Sequence, residues 1–309
     1  MSLERILNQL PGNCRNTSSI ISSKPVHPIM KISVIIPCYN RSQLVARAID
    51  SVLMQTYPAS ELIVVDDHSN DDTAVVLQQF EDRITVISNS QNFGVSYSRN
   101  VGIESATGEW IAFLDSDDVW NPDKLNAQKI FHENNPGIRI SQCDEIWIRN
   151  GVKVNPMVKH AKQGGWIFDS CLPLCIVSPS AVIIHEDVFK RVGLFDPQLP
   201  ACEDYDLWLR VSSLYEIGFL KKKLVTRHGG HDDQLSKKYW GMDRFRITAM
   251  EKQLDTELPV NWRRALLEEL IFKCRVVSEG ASKRGNLVIS DLYGEKQMLY
   301  EKKMELEFG

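Results

Sequence analysis

Between residues 31 and 125, short apolar runs end abruptly in polar or acidic side chains, and the stretches between them carry apolar residues at helical spacing. Ile32 to Ile36 is a β-branched run closed by Pro37, and Leu44, Val45, Ala48, Ile49, Val52 and Leu53 then recur on one helical face. Glu61 to Val65 repeats the pattern, ending in Asp66 and Asp67 before a helix whose inner face would use Val75, Val76 and Phe80. Ile84 to Ile87 reads as a third strand, Gly94 opens a helix through about Ala106, and Trp110 to Leu114 is a fourth strand ending in Asp115, Ser116, Asp117 and Asp118. Asn121 and Pro122 suit the cap and first position of the next helix. Strand alternating with helix over this length predicts an α/β, Rossmann-like, mainly parallel sheet with helices on both faces.

The remainder is less regular. Short strands are expected at Ile138 to Gln142, Ile146 to Ile148 and Ala181 to His185, with a Gly-Gly break at Gly164. Glu203 to Leu214 places Leu207, Trp208, Val211 and Leu214 on one helical face, and from Tyr239 the pattern predicts a helical C-terminal region. The expected division is an appendage at 1–30, a domain at 31–240 whose halves meet near 125, and the helical region at 241–309. The formal charge of −4 argues against a nucleic-acid partner. No run reaches eighteen apolar residues and no secretory leader is legible, so the expected location is the cytoplasm. The seven cysteines are scattered without a C-x-x-C pair, which predicts reduced thiols and neither a zinc site nor a disulfide framework.

In an open parallel sheet, ligands bind beyond the carboxyl ends of the strands, where loops converge and helix N-termini offer unpaired N–H groups. Pro37, Tyr39 and Asn40 follow the first strand, Asp66 and Asp67 the second, Asp115, Asp117 and Asp118 the fourth. Carboxylates this close raise one another's pKa unless a cation offsets them, and hard oxygen donors suit Mg2+ or Mn2+ with substrate phosphates completing the shell. Taken alone, each acidic pair also serves as a helix cap or a solvated turn, and the place of Asp115, Asp117 and Asp118 directly after an apolar strand argues against that use for them. Tyr39 beside Asn40 suits stacking on a nucleobase as well as a turn. Glu203 and Asp204 open a helix, which favours their ionised, proton-accepting form.

Five segments together, KISVIIPCYN (31–40), ELIVVDDHSN (61–70), NFGVSYSRNVG (92–102), GEWIAFLDSDD (108–118) and EDYDLWLR (203–210), resemble the family-two glycosyltransferases in order and spacing, across about two thirds of the chain. The resemblance implies a GT-A fold and an inverting, metal-dependent transfer of a sugar from a nucleotide diphosphosugar. It makes Pro37, Tyr39, Asn40 and Asp67 base-binding residues and Asp115 and Asp117 the D-x-D pair at ribose and metal. Asp117, Asp118 and His231, the last in the late loop RHGGHDDQLS, become the metal ligands, Mn2+ or Mg2+ the cofactor. Asp204, with Glu203 beside it, matches the catalytic base; Arg99 would assist at the diphosphate or be an exposed helix cation.

The expected reaction is a single transfer, because the Gln-x-x-Arg-Trp motif and membrane helices of the processive synthases are missing. A uridine diphosphate sugar is the expected donor, and a carbohydrate or glycolipid in bacterial polysaccharide or glycoconjugate synthesis the acceptor. Two rivals stand: a non-catalytic nucleotide-sugar sensor or scaffold, and a nucleotidyltransferase, which would need a Gly-rich phosphate loop where Pro37-Cys38-Tyr39-Asn40 stands. For the helical tail, packing on the core, homodimerisation and peripheral contact with a membrane-bound partner stay open.

Overall fold

The protein is described by a computed structural model, which covers residues 29–309 apart from Glu81, Pro156 and 231–237. Most of the segment set apart at the N-terminus, and the expected metal ligand His231, therefore lie outside the described residues.

The first half alternates as its sequence predicts: β1 (Ile32–Cys38), α1 (Val45–Leu53), β2 (Glu61–Asp66), α2 (Thr73–Gln78), β3 (Thr85–Ser88), α3 (Val95–Ser105) and β4 (Trp110–Phe113). These four strands pair in parallel, in the order β3, β2, β1, β4. All three of the polar exits therefore open at one edge. The chain continues through β5 (Val119–Trp120), α4 (Lys124–Asn134), β6 (Ile140–Arg149), β7 (Val152–Val154), α5 (Phe168–Cys171), β8 (Val182–His185), α6 (Glu186–Val192), α7 (Glu203–Ser212) and β9 (Ile217–Gly229). The helical region consists of α8 (Asp243–Gln253), α9 (Val260–Ser282) and α10 (Leu287–Phe308). Beyond β4 the sheet runs β8, β6, β9, β5, with β7 on β6; β8 is antiparallel to β4, so the pairing direction reverses beside the acidic exit of β4. Among the described residues no helix is long and apolar enough to cross a membrane.

Side chains alternate across the sheet as a strand's period of two requires. Ile32, Val34 and Ile36 enter one core with Val45, Ile49 and Leu77, while Ile35, Ile111 and Phe113 enter the other with Tyr205, Trp208, Met250, Leu267 and Cys274. The C-terminal helices thus share a core with α7. Lys273 of α9 is 4% exposed and donates to Pro173 O (3.0 Å) and Asp243 Oδ1 (3.0 Å), tying the loop before β8 to α8.

Three local expectations shift. The inner face of α2 is formed by Thr73 and Leu77, with the expected Val76 packed beside them and Phe80 buried just past the helix, while Val75 is 57% exposed because the helix is rotated away from it. The two strands expected near 138–148 form one, β6, interrupted opposite β9 by irregular register at Cys143, Asp144 and Glu145. The 13-residue β9 has no counterpart in the apolar pattern of the sequence, because exposed Lys221, Lys222 and Lys223 interrupt it.

Gly102 lets α3 lie directly on β1: a Cβ there would overlap Cγ2 of the buried Ile35. Helix propensity alone would make Gly102→Ala stabilising by up to about 1 kcal/mol. Overpacking reverses the sign, with an expected net loss of about 1–3 kcal/mol in urea unfolding. An unchanged or raised midpoint would refute this close approach.

Candidate active site

The exits of β1 and β2 are laced together by short polar side chains. Asn40 adopts a left-handed backbone (φ 51°), its N–H donates to Ser69 Oγ (2.9 Å), and its Oδ1 accepts from Asn70 N (2.9 Å). Ser69 Oγ in turn donates to Asp66 Oδ1 (2.5 Å), and Arg41 N donates to Thr73 Oγ1 (2.8 Å). Asn is one of the few residues that accepts this conformation at low cost. Tyr39 projects from the same turn, 40% exposed, whereas Pro37 is buried within β1.

Asp67, expected to face the base, is 3% exposed and spends its carboxylate on the loop entering α3. Oδ1 accepts from Asn89 Nδ2 (2.7 Å) and Phe93 N (3.0 Å), and Oδ2 accepts from Gly94 N (2.7 Å). Its observed work is to fix that turn, where Gly94 takes a positive φ of 93°.

One turn into α3, Arg99 is not an exposed cation and does not line the mouth; it is 3% exposed. One end of its guanidinium donates to Asp115 Oδ1 (2.7 Å) and the other to Glu203 Oε1 (2.7 Å), with the ring of Phe195 packed on it at 5.1 Å. Burial works against its charge, yet Asp115 and Glu203 hold it more firmly protonated than a free arginine. Arginine suits this place because its planar fork can serve two carboxylates at once. The D-x-D exit of β4 and the acidic start of α7 are thereby held on either side of one side chain.

Asp118 is 2% exposed. It accepts from Ser180 Oγ (2.7 Å) and His228 N (3.0 Å), and Arg227 Nε lies 3.8 Å away. Burial, and the neighbouring charge of Asp117 and Asp115, push its carboxyl well above the usual range; burial and Asp115 also raise Asp117, which is half-buried. Arg227 is half-buried with its side chain 40% exposed, packs on Trp147 and approaches Glu145 Oε1 (3.5 Å), while Glu145 also accepts from the Trp147 indole (2.8 Å). Ser180 and Glu145 carry no signal in sequence, since neither belongs to a motif and both are recruited by folding; Arg227 stands at the head of the late loop without a chemical cue of its own.

Cys202 sits in the left-handed region (φ 62°) immediately before α7, a strained conformation for a cysteine. It sets the direction in which Glu203 and Asp204 leave the backbone. Glu203 is 5% exposed and turned to Arg99; burial and the charge of Asp204 raise its carboxyl. Asp204 is half-buried, accepting from Tyr205 N at Oδ1 (2.7 Å), with Cys175 Sγ 3.5 Å from Oδ2. Burial, and then Asp204, raise the Cys175 thiol well above its usual range, so it is a donor here and not a thiolate. Behind this end of α7, Asp206 is fully buried and accepts from Arg210 Nη2 (2.7 Å) and Lys252 Nζ (2.8 Å).

For a divalent cation, the crowded carboxylates of β4's exit supply hard oxygen donors with excess negative charge, which fits Mg2+ or Mn2+. Among the described residues no three acids, histidines or cysteines converge into a ready-made cage. Asp118 accepts one hydrogen bond at each oxygen and Asp117 is half-buried, and each keeps a lone pair for a cation whose shell diphosphate and water would complete.

The sequence pattern of "Glycosyl transferase family 2" matches residues 33–157. Over 191 residues the chain is 32% identical to the Bacillus subtilis protein TuaG, named for teichuronic acid biosynthesis, covering 61% of this chain and 73% of that one. The chain belongs to glycosyltransferase family 2. This family 2 chain is also 32% identical over 182 residues to WfgD of Escherichia coli, named a UDP-Glc:α-D-GlcNAc-diphosphoundecaprenol β-1,3-glucosyltransferase, covering 58% of this chain and 69% of WfgD. It is 32% identical over 222 residues to an uncharacterized glycosyltransferase of Rickettsia felis, covering 71% of this chain and 36% of that one. It thus spans only about a third of the length of that relative. Among solved structures, residues 1–349 of S. aureus TarS with UDP-GlcNAc superpose with a TM-score of 0.65 at 18% identity, covering 89% of this chain and 92% of that one. A Pyrobaculum calidifontis mannosyltransferase in complex with GDP-Man and Mn2+ gives 0.61 at 16% identity, covering 90% and 84%. These similarities establish the family and the GT-A fold of the chain.

Removing one member of a buried ion cluster strands the others, typically at about 3–5 kcal/mol. Arg99→Met is expected to lose stability of that order in urea unfolding, and Arg99→Lys to recover it only in part, since an ammonium lacks the fork that reaches both partners. A loss below about 1 kcal/mol in Arg99→Met would show that the two carboxylates hold their positions without it.

Proposed function

We propose that this family 2 chain transfers one sugar, with inversion, from a nucleotide diphosphosugar to an acceptor hydroxyl, and that Asp204 is the general base. The observation that carries this reading is the single buried guanidinium touching both Asp115 and Glu203, because it sets the acidic exit of β4 beside the residue preceding Asp204. Inversion by direct displacement needs that pairing of ends: a proton acceptor where the nucleophile arrives, and charge stabilisation where the diphosphate departs.

A sugar hydroxyl titrates far above neutral pH, so its proton must go to a positioned acceptor as the oxygen attacks the anomeric carbon. Asp204 stands half-buried at the N-terminus of α7, where the helix dipole stabilises a carboxylate. Glu203 is turned to Arg99, which leaves Asp204 as the member of the pair that takes the proton. Tyr39, 40% exposed, would stack on the base of the donor, with Asn40 shaping the turn beneath it. Asp117, with Asp115 and Asp118 beside it, would hold Mn2+ or Mg2+, which when bound supplies Lewis-acid stabilisation of the departing diphosphate. A uridine diphosphate sugar is our proposed donor; the names of WfgD and TuaG support a glycolipid or polysaccharide acceptor.

Asp204→Asn keeps the size of the side chain and removes its basicity. Transfer from the UDP-sugar donor is expected to fall about 100-fold or more, while UDP with Mn2+ still raises the thermal midpoint by at least about 2 °C at 100 times its Kd, as in the unaltered protein. Transfer retained in this variant would remove Asp204 from the mechanism. Absence of a metal-dependent midpoint shift with UDP in the unaltered protein would remove the proposed donor, and the same titration with GDP would then identify the base.

A further inference from the structure

The contacts of α10 fix how the helix is rotated. Tyr293 and Tyr300 are buried, Lys296 Nζ (2.5 Å) and the Tyr300 hydroxyl both reach Glu251 of α8, and Ser290 and Glu307 meet Ser278 and Arg263 of α9. At 100° per residue, Leu292, Leu299 and Leu306 then share the edge of α10 turned away from α9. They are 45%, 50% and 77% exposed, a large apolar outlay for three residues on one helix edge. Glu295 and Lys302, both exposed, occupy the two intervals. The series 292, 295, 299, 302, 306 has the alternating three- and four-residue spacing of a coiled-coil seam.

We propose that a second copy of this chain covers that edge, the two α10 helices packing antiparallel about a two-fold axis at Leu299. Charge decides both occupant and direction. In the antiparallel arrangement Leu299 meets its own counterpart, Leu292 meets Leu306 of the second copy, and Glu295 falls opposite the Lys302-Lys303 pair of the second copy, once on each side of the axis. A parallel arrangement would set Glu295 against Glu295 and Lys302 against Lys302, two like-charge contacts inside the seam. The edge is therefore complementary to itself in only one of the two directions, which is what an isologous two-fold interface requires. At about 1.5 Å per residue, the 22 residues of α10 are long enough to carry all of these layers. The active-site residues take no part in the contact, so assembly and transfer are separable.

Sedimentation equilibrium of the full chain across the micromolar range tests this. The unaltered protein is expected to be a dimer, and Leu299→Glu a monomer with an unchanged circular dichroism spectrum, since the side chain is exposed. Glu295→Lys should weaken the dimer about tenfold by turning two attractive pairs repulsive, and adding Lys302→Glu should return the dissociation constant to within about twofold of the original. A monomeric unaltered protein, a dimer indifferent to Leu299→Glu, or failure of the double charge exchange to restore association would each overturn the proposal.

Discussion

A guanidinium buried as deeply as that of Arg99 forfeits its hydration, a cost of several kcal/mol that only close counter-charges offset. Asp115 and Glu203 provide them, at 2.7 Å each. The three groups come from α3, the exit of β4 and the start of α7, elements 16 and 104 residues apart in sequence from Arg99. Neither carboxylate can move away without leaving the guanidinium short of a partner, so the acidic exit of β4 and the start of α7 are held in fixed relation. The close approach of α3 to β1 at Gly102 sets the height of Arg99 above the sheet, and the left-handed turn at Cys202 sets the angle at which α7 meets it.

Around this clamp the remaining polar groups are mostly committed to the protein itself. Asp67 is given over to the turn before α3, Asp66 and Ser69 to the turn after β1, and Asp118 to Ser180 and the backbone of His228. Among the described residues the buried exceptions include Arg99 Nε and Ser178 Oγ, which have no hydrogen-bond partner. Tyr39 stays exposed at the exit of β1, and Asp117 and Asp204 are among the side chains left half-buried. The C-terminal helices add to this network, because Lys252 of α8 and Lys273 of α9 brace α7 and the loop carrying Cys175 from behind.

The strand exits are readable directly from sequence, since an apolar run of four or five residues followed at once by acids has few other uses, and Asp115, Asp117 and Asp118 lie where that pattern puts them. The Glu203–Asp204 pair is legible for a similar reason: the apolar face beginning at Leu207 fixes a helix whose first turn they occupy. What the residues do once placed is not legible. Asp67 looks the same in sequence whether it reads a base or closes a loop, and Arg99 looks like any polar helix residue until the fold brings Glu203 to it. β9 escapes because three solvated lysines break its pattern, and the inner face of α2 because Val75 and Leu77 compete for it on a six-residue helix.

The clamp itself is best tested by a double-mutant cycle on Asp115→Asn and Glu203→Gln, following urea unfolding of the two single variants and the double. If Arg99 joins the two carboxylates, losing both leaves it buried without a counter-charge, and the double variant should lose more stability than the two singles combined, by about 1 kcal/mol or more. Effects that add to within about 0.5 kcal/mol would mean that Asp115 and Glu203 are held independently, and that the two ends of the cleft are not registered through Arg99.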